Sequence, residues 1–408
     1  MIVSAYRLEG KVQNYPWGGY QFIPELLGIQ PQSNVPCAEY WLGGHAKAPS
    51  DVVLPDKSHI PLNDLVDKYP NEVLGTSVAQ NSEQLPFLLK ILDVRETLSI
   101  QVHPNKYQAE AGFEKEDRLG IPIQSAERNY RDNNHKPELQ LAIGDYWLLH
   151  GFREKESLRS LLEQIPEFSV LAPIFASDNY LELYKYVMEI PQGEVNRILA
   201  PLSERIVPEY LKGSFDESSP DYWAAKSLES GSSENYDRGV FSIYFFNLLM
   251  LKKGQAIFQG AGIPHAALRG QCVELMANSD NVVRGGLTPK HIDVPQLLSL
   301  TRFNGLKPII INGSIRNNQS ELFYETSCPD FCLSRIQLHN GDVFINRTFS
   351  AEIILVLSGQ IAINSSDAQL NLTRGESAVI LAKKEYQIDT LEDAVLFRAS
   401  LPSSNEPQ

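Results

Sequence analysis

Three short segments gather side chains able to hold a metal ion and move protons. Gln101-Val-His103 sets an amide and an imidazole two residues apart, Lys136-Pro-Glu138 sets a lysine and a carboxylate at the same spacing, and Gly260-Ala-Gly-Ile-Pro-His265 ends a glycine-rich turn on an imidazole. In extended chain, residues two apart face one side, so Gln101 and His103 can converge on a point. Lys136 and Glu138 can do the same, because Pro137 favours extension. The glycines before His265 permit close approach of backbone to a bound species. Two imidazoles, one carboxylate and one amide oxygen form a donor set that suits zinc. With a single negative charge among its ligands, a divalent ion would keep net positive character and could polarise an oxygen. Each segment taken alone also has a plain structural reading: a strand-end histidine, a charged turn, a core histidine.

The stretch from His265 to Lys290 adds Glu274, Asp280, Arg284 and Lys290 among glycine and asparagine, more charge than a core segment needs. Together with Tyr130-Arg-Asp-Asn-Asn-His-Lys-Pro-Glu138, it resembles the two signature segments of the type I mannose-6-phosphate isomerases. Gln13-Asn-Tyr-Pro-Trp-Gly-Gly19 and Ala38-Glu-Tyr-Trp-Leu-Gly-Gly-His45 are similar to that family's N-terminal pattern, so the likeness covers most of residues 10–300. The resemblance implies a zinc enzyme interconverting mannose 6-phosphate and fructose 6-phosphate through a cis-enediol, early in GDP-mannose biosynthesis. It places the zinc ligands on Gln101, His103, Glu138 and His265. Two positions depart from the family pattern: Ala267 stands where a tyrosine is usual, and Gly285 where an alanine is usual. The first removes a hydroxyl from the pocket wall; the second is expected to be harmless.

Aldose–ketose isomerisation needs a base near carbon and an electrophile on oxygen. Glu274 and Asp280 are the candidate bases, with His135 and Lys136 as proton shuttles. Arg284 would stabilise the enediolate or clamp phosphate, or form a structural ion pair with Asp280. Phosphate recognition needs cations and donors, and Lys90, Lys290 and Ser99 stand ready beside Lys136 and Arg284. Trp17, Trp41, Glu39 and His45 line the pocket or pack the core, while His59, His150 and His291 read as structural. Two rival readings stay open. One is a non-catalytic sugar-phosphate-binding protein derived from such an isomerase, for which Ala267 speaks. The other is a cupin metal oxygenase, which would want more converging imidazoles.

The elements that must position these groups follow from composition and pattern. The 408 residues are 43% hydrophobic and 21% charged with a net charge of -14, enough core for two or three folded domains. That charge argues against nucleic acid and against an anionic membrane as partners, though not against a small phosphorylated substrate met by local cations. The N-terminus lacks a signal-peptide core, no apolar run is long enough to cross a bilayer, and four cysteines do not make a disulfide framework. A cytoplasmic monomer is expected. Cys328-Pro-Asp-Phe-Cys332 has the wrong spacing for a zinc knuckle.

Short alternating segments at 85–93, 98–103, 139–143 and 146–150 read as strands, the last two joined by a Gly144-Asp145 turn. From 152 to 239 the apolar spacing turns helical, as in Glu154–Glu163 and Asp178–Met188. Strand character returns at Val240, and Glu352–Ile363 reads as a hairpin around Ser358-Gly359. The expected architecture is mainly β. A cupin, jelly-roll catalytic domain is built from 1–151 and 240–305, an α-helical insertion from 152–239, and a second jelly-roll barrel from 306–408. That barrel contains His339 as its sole histidine and cannot hold a metal through imidazoles.

Overall fold

The computed structural model describes residues 2–231, 234–316 and 319–402. Strand outweighs helix, in an eleven-stranded and a ten-stranded sheet whose ladders are antiparallel. The mainly β, cupin-type architecture follows the sequence reading, and the departures from that reading are local.

The ten-stranded sheet carries the chemistry. Its central member is the strand His265–Ala277. At its start this strand pairs with Gln101–Val102 and Tyr146–Phe152; at its end it pairs with Phe87–Val94 and Glu138–Ala142. Between the two halves the register shifts at Ala267/Arg269, and Gly270 takes φ +111°. A Cβ there would collide with the Asp145 carbonyl, so only glycine allows the strand to bend from one half of the sheet onto the other. The partner Phe87–Val94 is buried along its whole length, which explains its nearly unbroken apolar run and makes Lys90 within it conspicuous. The stretch expected as a strand over 98–103 is regular only at Gln101–Val102; the rest is held by single contacts such as Ile100 N–H to Gly286 O, 3.0 Å.

Helices run from Lys155 to Phe245, and here the expected return to strand at Val240 is corrected. Gly239–Phe245 is a helix buried on every side, packed among Phe168, Tyr184 and Phe246. A short, wholly apolar run has no periodicity to separate helix from strand, so only its surroundings decide. The strand begins one residue later, at Phe246–Leu251.

The eleven-stranded sheet also revises the expected division of the chain. Ala5–Glu9 pairs with Ser377–Ile380, and Asp51–Val53 and His59–Pro61 extend the same sheet, so parts of the N-terminal segment belong to the C-terminal one. One apolar cluster joins the two sheets, with Leu8 and Val52 beside Leu89, Val273, Ile353 and Val379. The expected hairpin at Ser358-Gly359 is instead one continuous strand, Glu352–Ser365, interrupted by bulges. Gly359 has φ +86°, and a Cβ there would strike the Asp393 carbonyl, so it bends the strand rather than reversing it. A second cluster, including Ile336, Ile354, Ile361 and Leu396, fills the inside of this sheet. At its end Arg398 lies between Glu321 and Glu352, with Arg398 Nη1 2.8 Å from Glu352 Oε1. The Tyr386 hydroxyl donates to Glu352 at 2.9 Å. His339 stays outside, exposed beside Asp393.

Candidate metal centre

Pairing across the bent strand sets two polar rows inside the first sheet. Directly opposed residues of antiparallel strands share a face. Arg284, Gln101, His265 and His150 follow one another across four neighbouring strands. Trp41, Lys90, Glu274 and Gln140 do so across four others. Beneath them an apolar plug of Leu92, Val94, Ala142, Tyr146, Leu148 and Cys272 closes the interior.

Three side chains meet between the rows. His103 Nε2 lies 3.3 Å from Glu138 Oε1, and His265 Nε2 lies 3.3 Å from Glu138 Oε2, all three residues buried. Neither imidazole Nε2 has a hydrogen-bond partner among the described residues. The reason is on the far side of each ring: His103 Nδ1 donates to the Asn281 carbonyl at 2.8 Å, and His265 Nδ1 to the Ile263 carbonyl at 3.0 Å. Those bonds leave bare Nε2 lone pairs facing a carboxylate, an arrangement that repels unless a cation lies between. Donors held about 2.0–2.1 Å from a tetrahedral ion sit about 3.3–3.4 Å apart, which is the spacing observed. Burial, with Lys136 nearby, brings the His103 imidazole down to about 4, so it stands neutral and ready to ligate. Burial would raise Glu138, but the Lys136 ammonium outweighs it and holds the carboxyl well below its ordinary value. Gln101 lies opposite His265 in register, on the same face. The donor set fits a zinc ion.

Around the centre, Lys136 Nζ is 3.0 Å from Glu138 Oε1. Lys90 Nζ is 3.0 Å from Glu274 and 3.5 Å from Glu39, and sits 5.1 Å from the centroid of Trp41. Burial acts to lower the Lys90 ammonium, yet Glu39 and Glu274 raise it well above its usual range, so it stays charged. Glu274 accepts from Gln140 Nε2 at 2.9 Å, and burial followed by Glu138 raises its carboxyl. Three carboxylates face two ammonium groups here, one net negative charge. A divalent ion turns that into one net positive charge.

Asp280 differs. Its oxygens are 2.7 Å from Lys47 and 3.5 Å from His45, and these partners hold it well below the carboxylate range against the effect of burial. The structural ion pair considered between Asp280 and Arg284 is therefore not formed. Arg284, Arg131 and Lys290 make no ion pair among the described residues. Burial lowers both Arg284 and Lys290; repulsion from Arg131 adds to it at Arg284, and repulsion from Arg284, Arg131 and Lys47 adds to it at Lys290. This is an unneutralised cationic patch in an acidic protein. The Ser99 segment runs beside it, with Gly285 N–H donating to the Ile100 carbonyl at 2.9 Å.

His135 is a correction. Extended chain turns it away from Lys136 and Glu138, and its Nε2 pairs with Asp330 of the C-terminal segment. It cannot shuttle protons at the centre from there. The expectation for Gly285 also changes. A Cβ at this position would lie 2.9 Å from the Tyr184 hydroxyl and 3.0 Å from Ile100 Cγ2, so the glycine makes room for a helical side chain. Ala267 lies in the apolar plug, where the Tyr146 hydroxyl reaches Gln140 Oε1 at 3.3 Å.

Sequence reasoning missed the residues that tie the signatures together. Asn281 accepts from Arg131 N–H at 2.7 Å and donates to the Asp132 and Asn134 carbonyls at 2.7 and 2.8 Å. Asp132 accepts from the Ser279 hydroxyl and the Asp280 N–H, both at 2.7 Å. Two loops far apart in sequence are thereby stapled, and His103 is aimed by the same Asn281. Gln140 was within reach of the alternation argument, two residues after Glu138. Arg131 and Lys47 gave no signal beyond their charge.

Residues 5–155 match the family model described as phosphomannose isomerase type I, catalytic domain. The chain is 36% identical over 386 residues to mannose-6-phosphate isomerase of Escherichia coli (strain K12), covering 93% of this chain and 95% of that one. It is 30% identical over 424 residues to mannose-6-phosphate isomerase of Homo sapiens, covering 97% and 98%. A crystal structure of mannose 6-phosphate isomerase described as holo and zinc bound is similar at TM-score 0.87 and 32% identity, covering 98% of this chain and 100% of that one. A mutant of phosphomannose isomerase from Salmonella typhimurium is similar at the same TM-score of 0.87 and the same identity, 32%.

Proposed function

The chain belongs to the type I mannose-6-phosphate isomerases, and on that premise we propose how its residues interconvert mannose 6-phosphate and fructose 6-phosphate. The observation that carries the proposal is the pair of buried, unpartnered imidazole nitrogens facing Glu138. His103, Glu138 and His265 hold zinc, with Gln101 beside them. When bound, the ion supplies polarisation of a sugar oxygen.

The chain's own groups do the rest. Arg284 and Lys290, joined by Arg131 and Lys47, receive the phosphate, with Ser99 as a donor alongside. Glu274 is the better-tuned base for moving a proton between adjacent carbons through a cis-enediol, because burial raises its carboxyl toward working pH. Lys90, 3.0 Å away, stabilises its ionised form, and Glu274 itself returns the proton to the neighbouring carbon. Asp280 is held too acidic for that task and orients His45 at the ring oxygen instead. Lys136 balances the charge of Glu138 and faces the sugar hydroxyls. The buried apolar plug excludes water from beneath the reacting carbons.

In this reading residues 1–151 and 240–305 form the catalytic unit, except that Ala5–Glu9, Asp51–Val53 and His59–Pro61 join the sheet of 306–408 that buttresses it and Gly239–Phe245 continues the helices of 152–239 that cover it. The enzyme works as a cytoplasmic monomer in the supply of GDP-mannose. A binding protein without turnover is disfavoured, because its proton-transfer groups would be buried at a cost in stability with no use. The test is fructose 6-phosphate formation from mannose 6-phosphate by the isolated protein, after chelation, and after zinc is restored. Loss and recovery are expected; a zinc-loaded protein that binds substrate without turnover would sink the proposal.

A further inference from the structure

Register brings the His150–Gln259 pair to the metal centre. Gln259 lies directly opposite Glu138 in the pairing of Ala256–Gln259 with Glu138–Ala142. His150 lies directly opposite His265. Opposed residues share a face, so Gln259, Glu138, His265 and His150 form a closed square on the inside of the sheet. One side of that square is the Glu138–His265 contact at 3.3 Å, and the side across from it is a 2.7 Å bond from His150 Nδ1 to Gln259 Oε1.

Gln259 is fully buried, and its Nε2 has no hydrogen-bond partner. A buried amide donor left unmade is costly, so such a group needs a reason. The amide has two ends. His150 takes the oxygen, which fixes the NH2 end away from His150.

We propose that Gln259, oriented by His150, is a positioning residue of the metal centre: its amide donor, unpartnered in this structure, is taken up by the Glu138 carboxylate when the metal is bound and holds it in its ligating orientation. The inference rests on the reading of His103, Glu138 and His265 as metal ligands and deepens it. Groups of this kind orient the ligands, and their loss typically costs about 10–100-fold in metal affinity.

The test measures zinc affinity by competition with a chromophoric chelator, and the visible spectrum of the cobalt-substituted protein, for wild type, Gln259→Met and His150→Phe. Thermal unfolding of the metal-free proteins runs in parallel. Both variants are expected to bind zinc about 10–100-fold more weakly and to shift the cobalt bands, while the metal-free proteins still unfold cooperatively, with a midpoint lowered by no more than the loss of the His150–Gln259 bond requires. Zinc affinity within threefold of wild type and an unchanged cobalt spectrum, in a folded variant, overturn the proposal. If Gln259→Met does not fold, His150→Phe decides alone, because it keeps the amide and removes only its anchor. Wild type that binds no zinc would overturn the metal reading itself. Wild type that binds while the variants bind equally would overturn only the role of Gln259.

Discussion

Replacing Lys90 with methionine isolates the electrostatic demand of the interior. Its ammonium is buried 3.0 Å from Glu274 and 3.5 Å from Glu39. At an effective dielectric near 20, each contact is a gross attraction of roughly 5 kcal/mol, most of it offset by the desolvation of three charges. What remains measurable is the penalty of removing one partner, about 3–5 kcal/mol, because two carboxylates would face each other across an apolar side chain. Methionine conserves the volume of the lysine stem, so packing adds little. Lys90→Met should therefore lose about 3–5 kcal/mol of stability, read from urea unfolding followed by circular dichroism. Adding Glu274→Gln removes the second charge and keeps the acceptor for Gln140; Glu39 retains its bond from the Trp41 indole. The double variant should recover at least half of the loss. Neither should regain turnover, with kcat down by about 100-fold or more, since general acid–base groups contribute about that much. A single variant within about 1 kcal/mol of wild type, or a double variant no more stable than the single, would refute the charge argument.

Three further outcomes follow from other contacts. Lys290→Gln should raise KM for mannose 6-phosphate about tenfold with kcat nearly unchanged, as expected for loss of one phosphate-facing cation; an unchanged KM in steady-state kinetics would remove Lys290 from the phosphate site. Gly285→Ala should destabilise by about 1–3 kcal/mol through its clash with the Tyr184 hydroxyl, and Tyr184→Phe in the same chain should relieve it, by thermal unfolding; equal stability with and without that hydroxyl would disprove the steric account. Arg398→Met in the second sheet should cost about 3–5 kcal/mol near neutral pH. Burial already raises Glu352 above its ordinary value, and Arg398 pulls it back down. A raised folded pKa favours the fold below the unfolded value and loses that contribution as pH rises, so the Arg398→Met deficit should shrink on acidification toward pH 5; a deficit that grows there would contradict the sign.

Most of the ligand chemistry was legible in the chain because it is local. Gln101 with His103, and Lys136 with Glu138, are pairs two residues apart, and strand alternation places each pair on one side without reference to anything distant. The turn of His135 toward Asp330 is the other half of the same alternation and could have been read from it. The helix at Gly239–Phe245 was not legible, because a run buried on every side has no period. Nor was the role of Gly359, since a glycine inside an apolar run marks a reversal or a bulge equally well.

The sequence by itself determined which donor types exist and which neighbours share a face. Only the tertiary structure decided that His103, Glu138 and His265 meet. That meeting depends on the bend of His265–Ala277 at Gly270, which carries one half of the sheet onto the other, and on a register that sets Glu138 against Gln259 and His265 against both Gln101 and His150. The same holds for Arg131 and Lys47 joining Arg284 and Lys290, and for Asn281 stapling two remote loops. Alternation is a property of one strand, carried by its own dihedral angles. Register belongs to pairs of strands, and it is chosen by the burial of every side chain along them together.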